Sequence, residues 1–340
     1  MLRHWLSLGD PRLVPARGGH INASFLVADG IAAPRWLLQQ VNRQVFPSPE
    51  AVMRNIEVVR AGAATVTDAG IALPTLLRTS SGNWWAYDEA GELWRCWEML
   101  PNARSTTRVM GARDAGEAGR AFGVFARLAT TLDASRLVET IPGFHDSPAR
   151  LAALEASIAR NVSGRVDRAR EEIALALRHR ALAPLLMAPL QAGRIPGRVA
   201  HNDAKVGNVL FDANTGNAAM VIDLDTVMPG TPLFDFGDLV RSSVSTAAED
   251  TTALHEVEAQ PELYRALREG YLAGTGGLLT PAELELLEPA GRVITWEQAL
   301  RFLTDYLDGD VYFATTHRDH NLERARVQLA LLNSLTALNG

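Results

Sequence analysis

Apolar and polar positions change their period twice along this chain of 340 residues. Through the first hundred residues the pattern is one of short strands and turns. Residues 24–28 form a β-like run behind a glycine-rich turn at Gly18 and Gly19, and Asp29-Gly30 is a hairpin signal. Residues 36–41 form a second apolar run. Val52, Ile56 and Val59 then recur at helical spacing between a Ser48-Pro49 start and Gly62, which predicts one helix with both ends marked. Strand character returns over 74–78 and 84–100, with a turn at 89–92. Past Pro101-Asn102 the period becomes helical. Residues 113–136 put Ala121, Phe122, Phe125, Leu128 and Leu132 on one face. Helices are also expected over 148–192 and 233–338, the latter broken by glycines at 274–277 and by Thr280-Pro281. A strand-rich island at 199–226 interrupts them. The pattern predicts an α+β chain: an antiparallel-sheet lobe with one helix over 1–100, and a larger, mostly helical lobe over 101–340 that holds a hairpin.

Composition narrows the class. Apolar residues make up 47%, enough for a large core. The 33 basic residues against 39 acidic ones leave a net charge of −6 with no basic cluster, which argues against nucleic acid as a partner. A single cysteine, Cys96, excludes an internal disulfide and a cysteine-based zinc site. No apolar run approaches 18 residues and the start is too poor in apolar residues for a signal peptide. The expectation is a soluble cytoplasmic protein with no membrane partner. Lys205 is the one lysine among 33 basic residues. An ammonium kept where every other cation is a guanidinium marks a position suited to a compact point charge.

Lys205 lies in the island, whose sequence is HNDAKVGNVLFDANTGNAAMVIDLDTV. Folding its hairpin back brings Asp203, Lys205, Asn208 and Asp223 into one region. Asp223 and Asn208 are hard oxygen donors of the kind that suits Mg2+ with water and phosphate. Asp203 is placed to accept or orient a hydroxyl proton. Lys205 would sit on a phosphate as it gains charge. Together these are the parts of phosphoryl transfer from a nucleotide, positioned around Mg2+. His201 is expected to hold the loop by hydrogen bonds.

His201-x-Asp203-x-Lys205-x-x-Asn208, with Asp223 following, resembles the catalytic loop and metal-binding strand of the protein-kinase-like superfamily. The wording HNDAKVGNVLFD, VIDLDTVMPG and FDFGDLVRS is similar to the aminoglycoside phosphotransferase and choline kinase family. GGHIN, LLQQVN, VFPSPEAVMRNI and RFLTDYLDGDVYF bring it nearest to the N-acetylhexosamine 1-kinases. The resemblance spans nearly the whole chain. It implies the two-lobe protein-kinase-like fold and ATP-dependent phosphorylation of a small acceptor, a hexosamine sugar in that branch. An aminoglycoside kinase, an amino-alcohol kinase and an inactive nucleotide-binding pseudokinase stay open.

Two further triplets resemble kinase motifs. Asp235-Phe236-Gly237 lies beyond the hairpin and reads as a helix start with Asp235 as N-cap. His317-Arg318-Asp319 has Arg324 where a metal-binding Asn is needed and reads as surface.

For the nucleotide, the Gly18-Gly19 turn would cover phosphate. Backbone atoms of Glu98 and Leu100 in the lobe connector would meet adenine. Superfamily members usually carry a lysine on the strand after the glycine turn. This chain has Gln39 there, an uncharged candidate for a phosphate contact. For the acceptor, His20 and Asn22 would reach from the small lobe and Arg301 and Tyr312 from the large one. Asp225, two residues past Asp223 on an expected strand, would share its face. Glu297, Arg301 and Asp305 share a helix face, as a surface ladder or as part of the acceptor site.

Overall fold

The computed structural model describes residues 1–16, 21–63 and 70–338. An antiparallel sheet of five strands occupies the N-terminal part: β1 (Pro11–Pro15), β2 (Ala23–Asp29), β3 (Trp36–Gln40), β4 (Ala86–Tyr87) and β5 (Leu93–Glu98). Their order is β1-β2-β3-β5-β4. Gly30 takes a left-handed φ of 58° in the connection from β2 to β3, where the Asp29-Gly30 signal fell. Strand β1 has no alternating pattern to betray it. It is exposed along its length and begins and ends on proline, which an edge strand tolerates. Residues 74–78, expected as a strand, run beside β5 with one bridge, Leu76 to Trp97, and Leu77 N–H donating to the Cys96 carbonyl. Pro74 has no N–H to extend the ladder.

Helix α1 (Pro49–Ala63) buries Val52, Ile56 and Val59 completely, the face its spacing marked. From its inner side Asn55 donates to the Val227 and Val138 carbonyls at 3.0 and 2.8 Å. The small-lobe helix thereby braces the segment that follows Asp223.

The C-terminal part is helical: α2 (Ala112–Ala129), α3 (Ser147–Arg160), α4 (Arg170–Arg178), α5 (Pro184–Gln191), α6 (Pro232–Ser243), α7 (Pro261–Thr275), α8 (Pro281–Asp308) and α9 (His320–Leu338). Thr280 and Glu283 close a reciprocal capping box at the start of α8, where Thr280-Pro281 marked a break. Helix α2 stops at Ala129, short of the expected 136, and a separate 3-10 turn covers Ala134–Arg136. The expected hairpin is present as β8 (Val209–Asp212) and β9 (Ala218–Val221). It gains a third strand, β6 (Ala103–Arg104), from the lobe connector. Strands β7 (Arg198–Ala200) and β10 (Met228–Gly230) pair at its base. Among the described residues no single helix is long and apolar enough to cross a membrane.

Helices α2 and α7 cross with their backbones nearly touching. A Cβ added to Gly270 would lie 2.0 Å from the Gly116 carbonyl oxygen, and one on Gly123 would lie 2.3 Å from the Tyr271 carbonyl oxygen. Only glycine permits that approach. The crossing fixes the far half of α2, whose Phe122 and Phe125 rings meet His201 edge-on at 5.2 and 5.4 Å. Gly270→Ala is therefore expected to cost about 1–3 kcal/mol or more by overpacking, seen as a lower urea midpoint. Gly197→Ala, with no atom within 4 Å of the new methyl, serves as the neutral control. Equal midpoints would show that the crossing has slack.

Candidate active site

The loop from His201 to Asn208 joins β7 to β8 and ends in a 3-10 turn, Val206–Asn208. Its start has no strand or helix to absorb its backbone donors. Asp235 absorbs them: its fully buried carboxylate accepts the N–H groups of His201 at 2.9 Å and Asn202 at 2.7 Å. The N-cap of α6 is Thr231, with Pro232 behind it, so the capping role expected for Asp235 is corrected. A carboxylate in the first turn of a buried helix is better used by the orphan donors of the loop beside it. Asn202 takes a left-handed φ of 62°, and its amide ties the turn to the Ala200 and Thr226 carbonyls. His201 donates from Nε2 to the Ile222 carbonyl at 2.9 Å, a bracing role as expected.

The loop brings the four key residues together. Lys205 Nζ lies 2.7 Å from Asp203 Oδ2. The Asn208 amide donates to the same oxygen at 2.9 Å and to the Asp203 carbonyl at 2.8 Å. Burial would raise the Asp203 pKa, but the Lys205 ammonium outweighs it and holds the carboxyl below its usual range. The Lys205 pKa moves up, against burial, through Asp203 and then Asp223. Across the hairpin, Ile222 N–H donates to the Asn208 carbonyl at 2.9 Å, setting Asp223 beside Asn208.

Asp223 does not end a strand. β9 stops at Val221, and Asp223 has a left-handed φ of 63° leading into a 3-10 turn, Leu224–Thr226. Its carboxylate is open to water within a crowded cleft. Burial, then repulsion from Asp225 and Asp203, raises its pKa to about 7. Among the described residues, neither this carboxylate nor the Asn208 side-chain oxygen accepts a hydrogen bond. One unpaired carboxylate and one unpaired amide oxygen fit Mg2+, which completes its shell with water and phosphate. No cluster of three or more His, Cys, Asp or Glu suited to a metal occurs among the described residues.

The left-handed residue also sends Asp225 elsewhere, which corrects the expectation that it shares a strand face with Asp223. Asp225 is buried and paired bidentately with Arg95 of β5 at 2.5 and 2.9 Å. It also accepts from Asn22 Nδ2 at 2.7 Å, so both residues are engaged with each other rather than facing an acceptor. Gln39 is likewise spent. Its oxygen accepts from Arg95 and from Trp97 Nε1, the latter at 2.6 Å, and its amide donates to Ser24. The expected phosphate contact is corrected accordingly: Gln39 is the second anchor of Arg95. Gly18, Gly19 and His20 lie outside the described residues. At the connector, Glu98 N–H is bonded to the Thr75 carbonyl and Met99 N–H to the Arg35 carbonyl. Among the described residues the Leu100 N–H has no backbone partner.

Arg301 and Tyr312 do meet. The guanidinium lies 4.8 Å from the Phe144 ring centre, 5.4 Å from Phe313 and 5.9 Å from Tyr312. Tyr312 is half exposed at 51%. The Asp305 carboxylate accepts the backbone N–H groups of Val311, Tyr312 and Phe313, which folds that loop over the helix. Glu297, Arg301 and Asp305 form no ladder; each has its own partner. Asp319 joins Arg168 and Tyr306 at the surface, as its motif reading implied.

The sequence model of the phosphotransferase enzyme family matches residues 12–287. The chain belongs to that family. This phosphotransferase is similar over 99% of its length to a microcompartment-associated aminopropanol kinase (95% of that chain, 17% identity, TM-score 0.64). It is similar over 99% to a spectinomycin phosphotransferase solved with ADP and spectinomycin (96% of that chain, 11% identity, TM-score 0.63). It is similar over 98% to choline kinase from Cryptosporidium parvum Iowa II (91% of that chain, 15% identity, TM-score 0.61). At these identities the likeness is one of fold, the kinase-like pairing of an antiparallel-sheet part with a helical part.

One buried pair beside the loop of this phosphotransferase had no legible motif. His145 is buried between α8 and the loop from His201 to Asn208. Its Nδ1 lies 2.8 Å from Glu297 and its Nε2 3.0 Å from the Asn202 carbonyl; Ser147 adds a hydrogen bond to Glu297 at 2.5 Å. Both ring nitrogens face acceptors, so the imidazolium fits and the neutral ring leaves one bond unmade. Burial pulls the His145 pKa down, yet Glu297 outweighs it and the net shift is upward. For Glu297 burial pushes up and His145 outweighs it, for a net shift downward. The pair's stabilisation is thus present above the ordinary Glu value of 4.5 and below the ordinary His value of 6.5. It is lost as pH climbs through the raised His145 pKa. His145→Ala strands a buried carboxylate and is expected to cost about 3–5 kcal/mol of unfolding free energy near pH 6. Urea titrations of both proteins across pH check it, since only the wild type should carry this alkaline loss. Equal stability would refute the charged pair.

Proposed function

We propose that this chain transfers the γ-phosphoryl group of ATP, with Mg2+, to a hydroxyl of a small sugar, the anomeric hydroxyl of an N-acetylhexosamine. The observation that carries the reading is the Asp203 carboxylate, held by Lys205 and Asn208 beside an unpaired Asp223. In this reading residues 1–100 form the nucleotide lobe and 101–340 the catalytic and acceptor lobe, and an ATP-dependent reaction suits the cytoplasm. Adenine would take the Leu100 N–H and the Glu98 carbonyl. Asn208 and Asp223 would hold Mg2+, which when bound would neutralise phosphate charge.

The acceptor oxygen attacks the γ-phosphorus while the bond to the β–γ bridging oxygen breaks and ADP departs. Asp203 orients the hydroxyl and takes its proton. Lys205 sits one hydrogen bond from Asp203 and would carry its charge toward the moving phosphoryl group.

Acceptor class follows from charge. Arg301 sits among three aromatic rings, while the carboxylates on its helix face are consumed, Glu297 by His145 and Asp305 by backbone. An aminoglycoside or an amino alcohol brings ammonium groups that need free carboxylates, and choline's trimethylammonium needs aromatic faces that Arg301 already occupies. A neutral ring with hydroxyl and acetamido groups suits a guanidinium and aromatic faces better. An inactive pseudokinase is disfavoured because the loop keeps every part of its chemistry.

An ADP-release assay over N-acetylglucosamine, N-acetylgalactosamine, an aminoglycoside and choline is expected to respond to the N-acetylated sugars. Asp203→Asn should lower kcat about 10³-fold with nucleotide affinity nearly intact. Arg301→Ala should raise the acceptor KM and spare that of ATP. Turnover with the amines alone would overturn the acceptor assignment, and unchanged turnover in Asp203→Asn would remove that residue from the mechanism.

A further inference from the structure

The Arg95 guanidinium lies where four distant segments meet, and it is 1% exposed. Its Nε and Nη2 donate to Gln39 of β3. Its Nη1 and Nη2 grip both oxygens of Asp225, and Nη1 also reaches the Met53 sulfur of α1. All five N–H donors are thereby used, so this cation is closed to ligands. Asp225 in turn accepts from Asn22, whose own oxygen accepts the Asn42 N–H at the end of β3. The sheet of the small lobe is bolted through one carboxylate to the turn that begins at Asp223.

That turn needs holding. Asp223 sits in a left-handed conformation, which persists for a non-glycine residue only where its surroundings determine it. Asp225 also repels the Asp223 carboxylate. A free carboxylate at 225 would compete for any cation brought to 223, and a neutralised one would not. Bidentate pairing fixes the place of Asp225 and sets a cation against both of its oxygens.

We propose that the Arg95–Asp225 pair is a positioning device for the Asp223 carboxylate, keeping Asp225 out of the metal shell and fixing the Asp223 turn to strand β5. The inference rests on the nucleotide and metal reading above, and it assigns Arg95 no contact with phosphate. The device makes metal and nucleotide binding depend on one another through the sheet.

The test reads binding rather than turnover. ADP affinity is measured by calorimetry in EDTA and again in Mg2+, for the wild type and for Arg95→Met/Asp225→Asn. The double variant leaves no buried charge unpaired, so it is expected to keep a melting temperature close to that of the wild type. ADP affinity in EDTA should change less than twofold, while the gain from Mg2+ falls about tenfold. Arg95→Lys, which keeps the charge and loses the fork, should fall in between and covers the case of a double variant that does not fold. A wild-type gain that both variants retain would overturn the positioning role alone. A wild type with no gain from Mg2+ would overturn the metal assignment and this inference with it.

Discussion

The site depends on one buried carboxylate that never meets a substrate. Asp235 takes the N–H groups of His201 and Asn202, which no strand or helix can satisfy. Left unpaired in the interior, each donor would cost about 1–3 kcal/mol, enough to make the loop choose another path. With both donors held, Asn202 can adopt its left-handed turn and Asp203 emerges pointing into the cleft. The aromatic wall of α2 then has a fixed ring to meet at His201, and Ile222 a fixed partner in that ring.

Around this anchor the buried charges come in pairs. Arg95 holds Asp225, His145 holds Glu297, and Arg198 holds Glu283. Arg241 holds Asp238 on the helix that carries Asp235. Desolvating an ion costs several kcal/mol, and a close partner offsets it. Asp223 stands apart among the described residues, a crowded carboxylate that accepts no hydrogen bond and whose pKa is raised to about 7. A carboxylate left without an ion-pair partner beside these pairs is what the proposed Mg2+ site would need. The pairs also divide the labour: His145 holds the loop at the Asn202 carbonyl, and Arg95 holds the turn after Asp223 through Asp225.

Local signals were legible and long-range ones were not. The helix over Val52, Ile56 and Val59, the hairpin at 209–221 and the breaks near Gly276 and Thr280 are written in spacing, caps and turn residues. The convergence of Asp203, Lys205, Asn208 and Asp223 was legible because one hairpin joins them. Asp225 was misjudged because strand alternation was carried past Val221, and one left-handed residue resets which way the next side chains point. Gln39 was misjudged because its partner, Arg95, lies 56 residues on, in a strand whose pairing no local pattern specifies. His145 shows the same limit: its partners lie 57 and 152 residues away. β1 escaped notice because an exposed edge strand has no buried face to imprint a period.

The lone lysine gains a physical meaning from the two cations of the cleft. Arg95 does what a planar fork does: it spends five donors in fixed directions and clamps a carboxylate edge-on. An ammonium there would hold one oxygen and leave the Gln39 and Met53 contacts unmade. Lys205 does the opposite. It touches Asp203 at one point, its side chain is 38% exposed, and its flexible stem lets the charge pivot. A guanidinium at 205 would clamp Asp203 through two oxygens and take the lone pair that the proposed transfer would need for a proton. In the proposed transfer, the one lysine of a chain that otherwise uses arginine stands where a cation would have to let go.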